Sequence, residues 1–207
     1  TGGHVLPGYN LAKHLIEQDY HIELLLDKRG SQYLEKFKNL KISIFPSSPL
    51  VTKSIYSFFI SFTYIFYSVL KSFYFLIFNR PSLIIGMGGY ASFPICIAAS
   101  ILKIKIIIYE NNLIIGKANK YLLPFAKNII VSFKDIEGVP IKYKNKIIEI
   151  GNIVKKEIIN FSKENNNNIK IDGLSIIVLG GSQAAKVFAE ILPSIFLKCS
   201  TAGIPLK

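Results

Sequence analysis

Along most of this chain a short run of Ile, Leu and Val gives way to a turn, and then to a stretch with apolar residues three and four apart. Runs of the first kind, nearly continuous in branched residues, suit parallel strands buried on both faces. Stretches of the second kind suit helices that cover a sheet. The runs fall at 21–26, 41–45, 83–86, 105–109, 128–132, 146–150 and 174–179, and the helical stretches at 8–18, 31–39, 91–102, 117–125 and 184–199. This alternation predicts an α/β fold built on parallel sheet. The first helix opens at Pro7-Gly8 with no strand before it, so a strand preceding residue 1 is expected and the chain reads as a fragment.

Polar Lys, Glu and Asn dominate 151–173, including the run Asn165 to Asn168. That shift places one domain over 1–150, a connection over 151–172 and the start of a second domain of similar type over 173–207. Residues 55–78 stand apart, being almost wholly Phe, Tyr, Ile, Leu, Ser and Val. Their length suits a bilayer span. Lys71, Ser57, Ser61, Thr63, Ser68 and Ser72 interrupt the segment, however, and a span would separate α/β units that continue on both sides. An ordinary buried helix and an interfacial helix that dips into lipid are the other two readings. On the interfacial reading Phe58, Phe59, Phe62, Phe66 and Phe73 enter the lipid while Lys53, Lys71 and Arg80 meet anionic headgroups, so some of those rings should be solvent-exposed.

Half of the 207 residues are hydrophobic, enough for one full core and part of another, and the formal net charge is +12. Such a balance suits an anionic membrane or a nucleic acid. Part of it has a simpler origin, because Ile, Lys and Asn are abundant together, as AT-rich coding produces. Cys96 and Cys199 lie far apart in apolar helical stretches and read as inert, buried thiols of a reducing compartment. With no Asp-x-Asp and no Cys/His ligand spacing, neither a metal nor a cofactor is expected.

Three glycine clusters sit at predicted helix entries: Gly2-Gly3, Gly86-Met87-Gly88-Gly89-Tyr90 and Gly180-Gly181-Ser182-Gln183. Glycine there permits positive φ and close backbone approach to a ligand, and the N–H groups of the following helix attract anions. A single such loop is explained as well by tight turning; three at matching places point to phosphate held at strand C-termini. Neither the dinucleotide nor the Walker pattern is present. His4 follows the first cluster, where a cap or a solvent-facing role is the alternative to catalysis. Glu110 and Asn112 end a strand, where an acid caps the next helix, orients His4 or binds a ligand.

These loops carry a specific resemblance. Thr1-Gly2-Gly3-His4-Val5-Leu6-Pro7-Gly8 is similar to the end of GGTGGHxxPxL, and Gly86 to Tyr90 matches GMGGY. Tyr109-Glu110-Asn111-Asn112 is similar to HEQN, Gly151-Asn152-Ile153-Val154-Lys155 to GNPVR, and Gly180 to Ala185 to GGSQGA. Five motifs in order, over nearly the whole chain, resemble the MurG family of GT-B glycosyltransferases. The resemblance implies two Rossmann-like domains, the first binding acceptor and the second, truncated here, nucleotide sugar. It implies metal-independent, inverting transfer of N-acetylglucosamine from UDP-GlcNAc to the C4 hydroxyl of undecaprenyl-diphosphate-MurNAc-pentapeptide, lipid I becoming lipid II. The enzyme would be peripheral, on the cytoplasmic face of the bacterial inner membrane, with an anionic membrane surface as partner and no nucleic acid.

Carried over by position, the resemblance makes His4 and Glu110 catalytic. Thr1, Gly2, Gly3, Asn112, Lys155 and Ser182 would contact UDP-GlcNAc, and Gly88, Gly89 and Tyr90 the acceptor diphosphate. The departures are Tyr109 for His, Asn111 for Gln, Ile153 for Pro, Lys155 for Arg and Ala184 for Gly. Lysine keeps the charge of arginine without its bidentate fork. The other readings are a different GT-B enzyme or nucleotide-sugar epimerase, and a decayed transferase that serves as a membrane-surface scaffold.

Overall fold

The computed structural model describes residues 2–36, 40–47, 55–164, 176, 178–180 and 184–204. The chain divides into two compact units, Thr1–Ile159 and Asn160–Lys207. In the first, helix α1 (Gly2–Ile16) precedes strand β1 (Glu23–Leu26), a 3-10 helix (Gly30–Lys36) and β2 (Lys41–Ile44). Helix α2 (Ile55–Asn79) leads to β3 (Leu83–Gly86), α3 (Gly89–Ile101), β4 (Lys105–Glu110), α4 (Lys117–Leu122) and β5 (Asn128–Val131). A second 3-10 helix (Ile141–Lys146), β6 (Ile147–Glu149) and α5 (Lys156–Glu164) follow.

All the strand pairs are parallel, as the branched runs require. They form two ladders, β1-β2 and β3-β4-β5-β6, rather than one continuous sheet. Helix α1 sits where the ladders approach each other: Gly8 is buried, and a Cβ there would lie 3.2 Å from Met87 and 3.8 Å from Leu24. Ile106, Ile108, Ile129 and Val131 of the central strands are wholly buried with Leu76, Ala98, Ala99 and Leu122 from the helices. Burying one such Leu or Ile contributes roughly 1.5–3 kcal/mol, so this layer is the main source of stability.

Helix α2 packs on α3, and α3 on α4. Ser68, Ser72 and Leu76, four residues apart, form the buried stripe of α2. A helix so anchored in the core belongs to the α/β unit, although by length and composition 59–79 would cross a membrane. Its outer side is another matter. Phe59, Phe62 and Phe66 are 62%, 58% and 57% exposed, whereas Phe73 packs partly against the core. Lys71 is exposed, and its ammonium lies over the Phe45 ring at 5.2 Å from its centroid. The Phe58 side chain and Lys53 lie outside the described residues. Cys96 is buried as expected, its thiol pushed up to about 12 by burial, but Cys199 is only half-buried.

In the second unit the described regular structure is the end of α5 and helix α6 (Ala184–Thr201). The strand expected at 174–179 lies mostly outside the described residues, and Ile176, Val178 and Leu179 carry no regular structure. Among the described residues this unit contains no strand.

Candidate functional site

Because β3 to β6 run parallel in register, their C-terminal ends share one edge, which is where open α/β sheets take ligands. Gly86 closes β3 tightly: a Cβ there would lie 3.0 Å from Cys96 Sγ. The chain then turns at Gly88, whose φ of 86° and ψ of 179° are available essentially to glycine alone. Gly88 caps α3 without a side-chain hydrogen bond, so the first N–H groups of that helix are directed at the edge.

His4 is packed onto this turn. A Cβ on Gly88 would lie 3.0 Å from His4 Nδ1, and one on Gly89 3.4 Å from His4 Cδ2. The ring gets there because α1 begins at Gly2, not at residue 8 as expected, so His4 projects from its first turn. Pro7 therefore falls inside the helix, where it has no N–H to offer the carbonyl of Gly3. That carbonyl accepts from Asn111 Nδ2 instead, at 2.9 Å, which ties α1 to the loop after β4. Burial lowers the His4 pKa from its ordinary value, while the charge of Glu110 and a backbone hydrogen bond at Met87 pull it up. The net result is a neutral imidazole at pH 7, able to accept a proton.

Glu110 is 1% exposed. Its Oε1 accepts from the Asn112 amide N–H at 3.1 Å and Asn112 Nδ2 at 2.7 Å. Its Oε2 accepts from the Gly116 N–H at 2.8 Å and Asn119 Nδ2 at 3.0 Å. Both oxygens are thus occupied within the protein, where they hold the 111–116 loop. Its charge still acts on His4 through space. Asn112 itself is exposed on that loop.

Sequence reading passed over Asn119, which is 1% exposed in α4. Its Nδ2 donates to the Tyr109 carbonyl at 2.9 Å as well as to Glu110, and lies 3.4 Å from a Cβ placed on Gly88. His4 Nδ1, Asn111 Oδ1 and Asn119 Oδ1 are buried without a hydrogen-bond partner, three polar atoms at the same edge. The edge thus brings together His4, Gly88, Gly89, Glu110 and Asn112. Gly3 joins through its carbonyl, whereas Gly2 lies beside Tyr33. Tyr90 is half-buried in the first turn of α3. Lys155 is exposed after β6, and its carbonyl accepts from Ile158 and Ile159 at the start of α5. Thr1 and Ser182 lie outside the described residues. Among the described residues no group of three His, Cys, Asp or Glu is placed to hold a metal.

Residues 1–131 match the glycosyltransferase family 28 N-terminal domain. The chain belongs to this family. A family 28 fold accounts for the parallel ladders and for a ligand edge built from glycine turns. A Pelagibacter ubique protein is 33% identical over 199 residues, covering 96% of this chain and 54% of its own length. One from Rickettsia felis is 35% identical, covering 94% and 54%. Both are named UDP-N-acetylglucosamine–N-acetylmuramyl-(pentapeptide) pyrophosphoryl-undecaprenol N-acetylglucosamine transferase. The fold is also that of the Acinetobacter baumannii MurG crystal structure, with a TM-score of 0.69 at 24% identity, over 93% of this chain and 53% of that one. The chain spans about half the length of the curated relatives it matches.

Proposed function

We propose that this family 28 chain is the acceptor-side part of an enzyme that transfers N-acetylglucosamine from UDP-GlcNAc to a lipid-linked N-acetylmuramyl-pentapeptide. The observation that carries the reading is His4, neutral and packed on the Gly88-Gly89 turn with the Glu110 carboxylate behind it. In the transfer, the acceptor hydroxyl oxygen attacks the anomeric carbon, the bond to UDP breaks with inversion, and the hydroxyl proton passes to His4. Glu110 does not touch the sugar; its negative charge stabilises the imidazolium as it forms. The α3 N-terminus with Gly88, Gly89 and Tyr90 receives the acceptor diphosphate. By resemblance, Thr1, Gly2, Gly3, Asn112, Lys155 and Ser182 are assigned to the donor. No metal is required, because helix N-termini and Lys155 offset the leaving charge.

The acceptor's polyprenyl tail keeps it in a bilayer, so the reading places the enzyme peripherally on the inner face of the membrane. The exposed Phe59, Phe62 and Phe66 of α2 support this, since an apolar helix face on a chain of net charge +12 suits an anionic lipid surface. The deciding assay uses UDP-GlcNAc with a short-chain lipid I analogue. Replacing His4 by Ala is expected to lower kcat by about 10²–10⁴, with the KM for UDP-GlcNAc nearly unchanged. An unchanged kcat removes His4 from the chemistry.

A further inference from the structure

Tyr109, the penultimate residue of β4, is 2% exposed, and its phenol does something the glycine loops do not announce. The oxygen lies 2.9 Å from Ser132 Oγ at the end of β5, accepts from the Ile153 N–H at 3.2 Å and faces the Gly151 carbonyl at 3.5 Å. The last ladder bond of this region is Ile150 N–H to the Val131 carbonyl, 3.0 Å, and α5 does not begin until Lys156. In between, the chain turns at Gly151 with φ 79°, where a Cβ would meet nothing within 4 Å. Glycine is there for its backbone angle rather than for space. Among the described residues, the hydrogen bonds given to 151–154 run to the Tyr109 hydroxyl.

We propose that Tyr109 is a positioning residue: its hydroxyl seats the 151–153 turn on the sheet edge and so fixes where Lys155, two residues on, begins. It does this from the position next to Glu110, so one strand end holds the 111–116 loop and the 151–153 turn together. The tyrosine stands where the HEQN-like motif has His, and a shorter imidazole would not carry a polar atom to the same place. The effect on transfer rests on the proposed function, in which Lys155 serves the donor diphosphate. The seat itself does not.

Tyr109→Phe deletes the hydroxyl and keeps the ring. Losing the bonds from the turn to the hydroxyl should speed amide exchange over 150–155 about tenfold, with exchange at Ile106 and Ile108 in the same strand unchanged. In an active protein the KM for UDP-GlcNAc should rise about three- to tenfold while kcat stays within about twofold, since what is removed is ground-state positioning. Ser132→Ala, which leaves the Ile153 bond, should give a smaller change in both. Unchanged exchange over 150–155 in Tyr109→Phe overturns the proposal, as does faster exchange with an unaltered KM. Exchange rising across the whole of β4 also overturns it, because that is general destabilisation. A wild-type protein inactive with UDP-GlcNAc sinks the functional reading alone; the exchange measurement still decides the seat.

Discussion

Glu110 and Phe66 belong to the same compact unit and are solvated in opposite ways. The carboxylate, one of the most polar groups in the chain, is 1% exposed and accepts four hydrogen bonds; the phenyl ring, among the least polar, is 57% exposed. At the sheet edge the two Glu110 oxygens are held by four specific donors, so the geometry of that loop is held tightly. On the outer face of α2 the exposed rings share a side of a helix, and what they offer is area. A rigid polar edge suits chemistry, and a broad apolar face suits a surface. Substitutions separate the two regions by size of effect.

The largest effect is expected at Glu110. Alanine there leaves the Gly116 N–H and one of the two N–H bonds of Asn119 Nδ2 without an acceptor, the other remaining on the Tyr109 carbonyl. At about 1–3 kcal/mol for each buried group left unsatisfied, the loss should be on the order of 3–5 kcal/mol, a large share of a domain's stability. Urea denaturation measures it, and a loss below about 1 kcal/mol shows that the carboxylate is not what holds the loop.

Gly88→Ala comes next. It forces a Cβ onto a backbone at φ 86° and ψ 179° and 3.0 Å from His4 Nδ1. Strain of this kind costs roughly 1–3 kcal/mol. His4 must move, so in the transfer assay kcat should fall with it. A variant of wild-type stability and kcat refutes the packing of His4 on the turn.

How much of this edge was readable in the sequence depends on the reach of each signal. The strands β3, β4 and β5 match their branched runs to within a residue, because burial on both faces leaves a pattern in consecutive residues. The start of α1 did not: Gly2-Gly3 read as a loop and Pro7 as a helix opener, since the rescue of the Gly3 carbonyl comes from Asn111, 108 positions away. Asn119 was invisible for a similar reason, sitting in the short, lysine-flanked α4 that reads as a solvated surface. Nor does anything local mark the bond from Ile153 to Tyr109. The Gly88-Gly89 turn was legible because its signal is short-range, whereas Glu110's full engagement needed the packed loop to be seen.

A smaller effect concerns pH. Burial holds the His4 imidazole below its ordinary value of 6.5, against the opposing pull of Glu110. With the folded value depressed, the unfolded chain binds more protons as pH falls below 6.5. The stability tied to neutral His4 is therefore complete above about pH 7.5 and declines with acidification through 6.5 toward the folded value. His4→Gln should remove that part of the decline when urea midpoints are compared between about pH 5 and 8. Parallel profiles for the two proteins contradict the burial of the ring.

The smallest effect on stability is expected on α2, and it is the one that tests the contrast directly. Phe59→Ser with Phe66→Ser changes two rings already 62% and 57% in water, so folding should move by no more than about 0.5 kcal/mol for each. Leu76→Ala, on the buried stripe of the same helix at 0% exposure, should cost about 2–5 kcal/mol. Vesicle flotation reverses the ranking. The double serine variant should bind anionic vesicles several-fold more weakly, because each ring loses the transfer of its exposed area into the interface, and added salt should weaken binding of the wild type by screening its cations. Leu76→Ala, tested at a temperature where it is folded, should bind as the wild type does. Equal flotation of wild type and double variant, or equal binding to neutral and anionic vesicles, would mean that these rings face something other than a charged lipid surface.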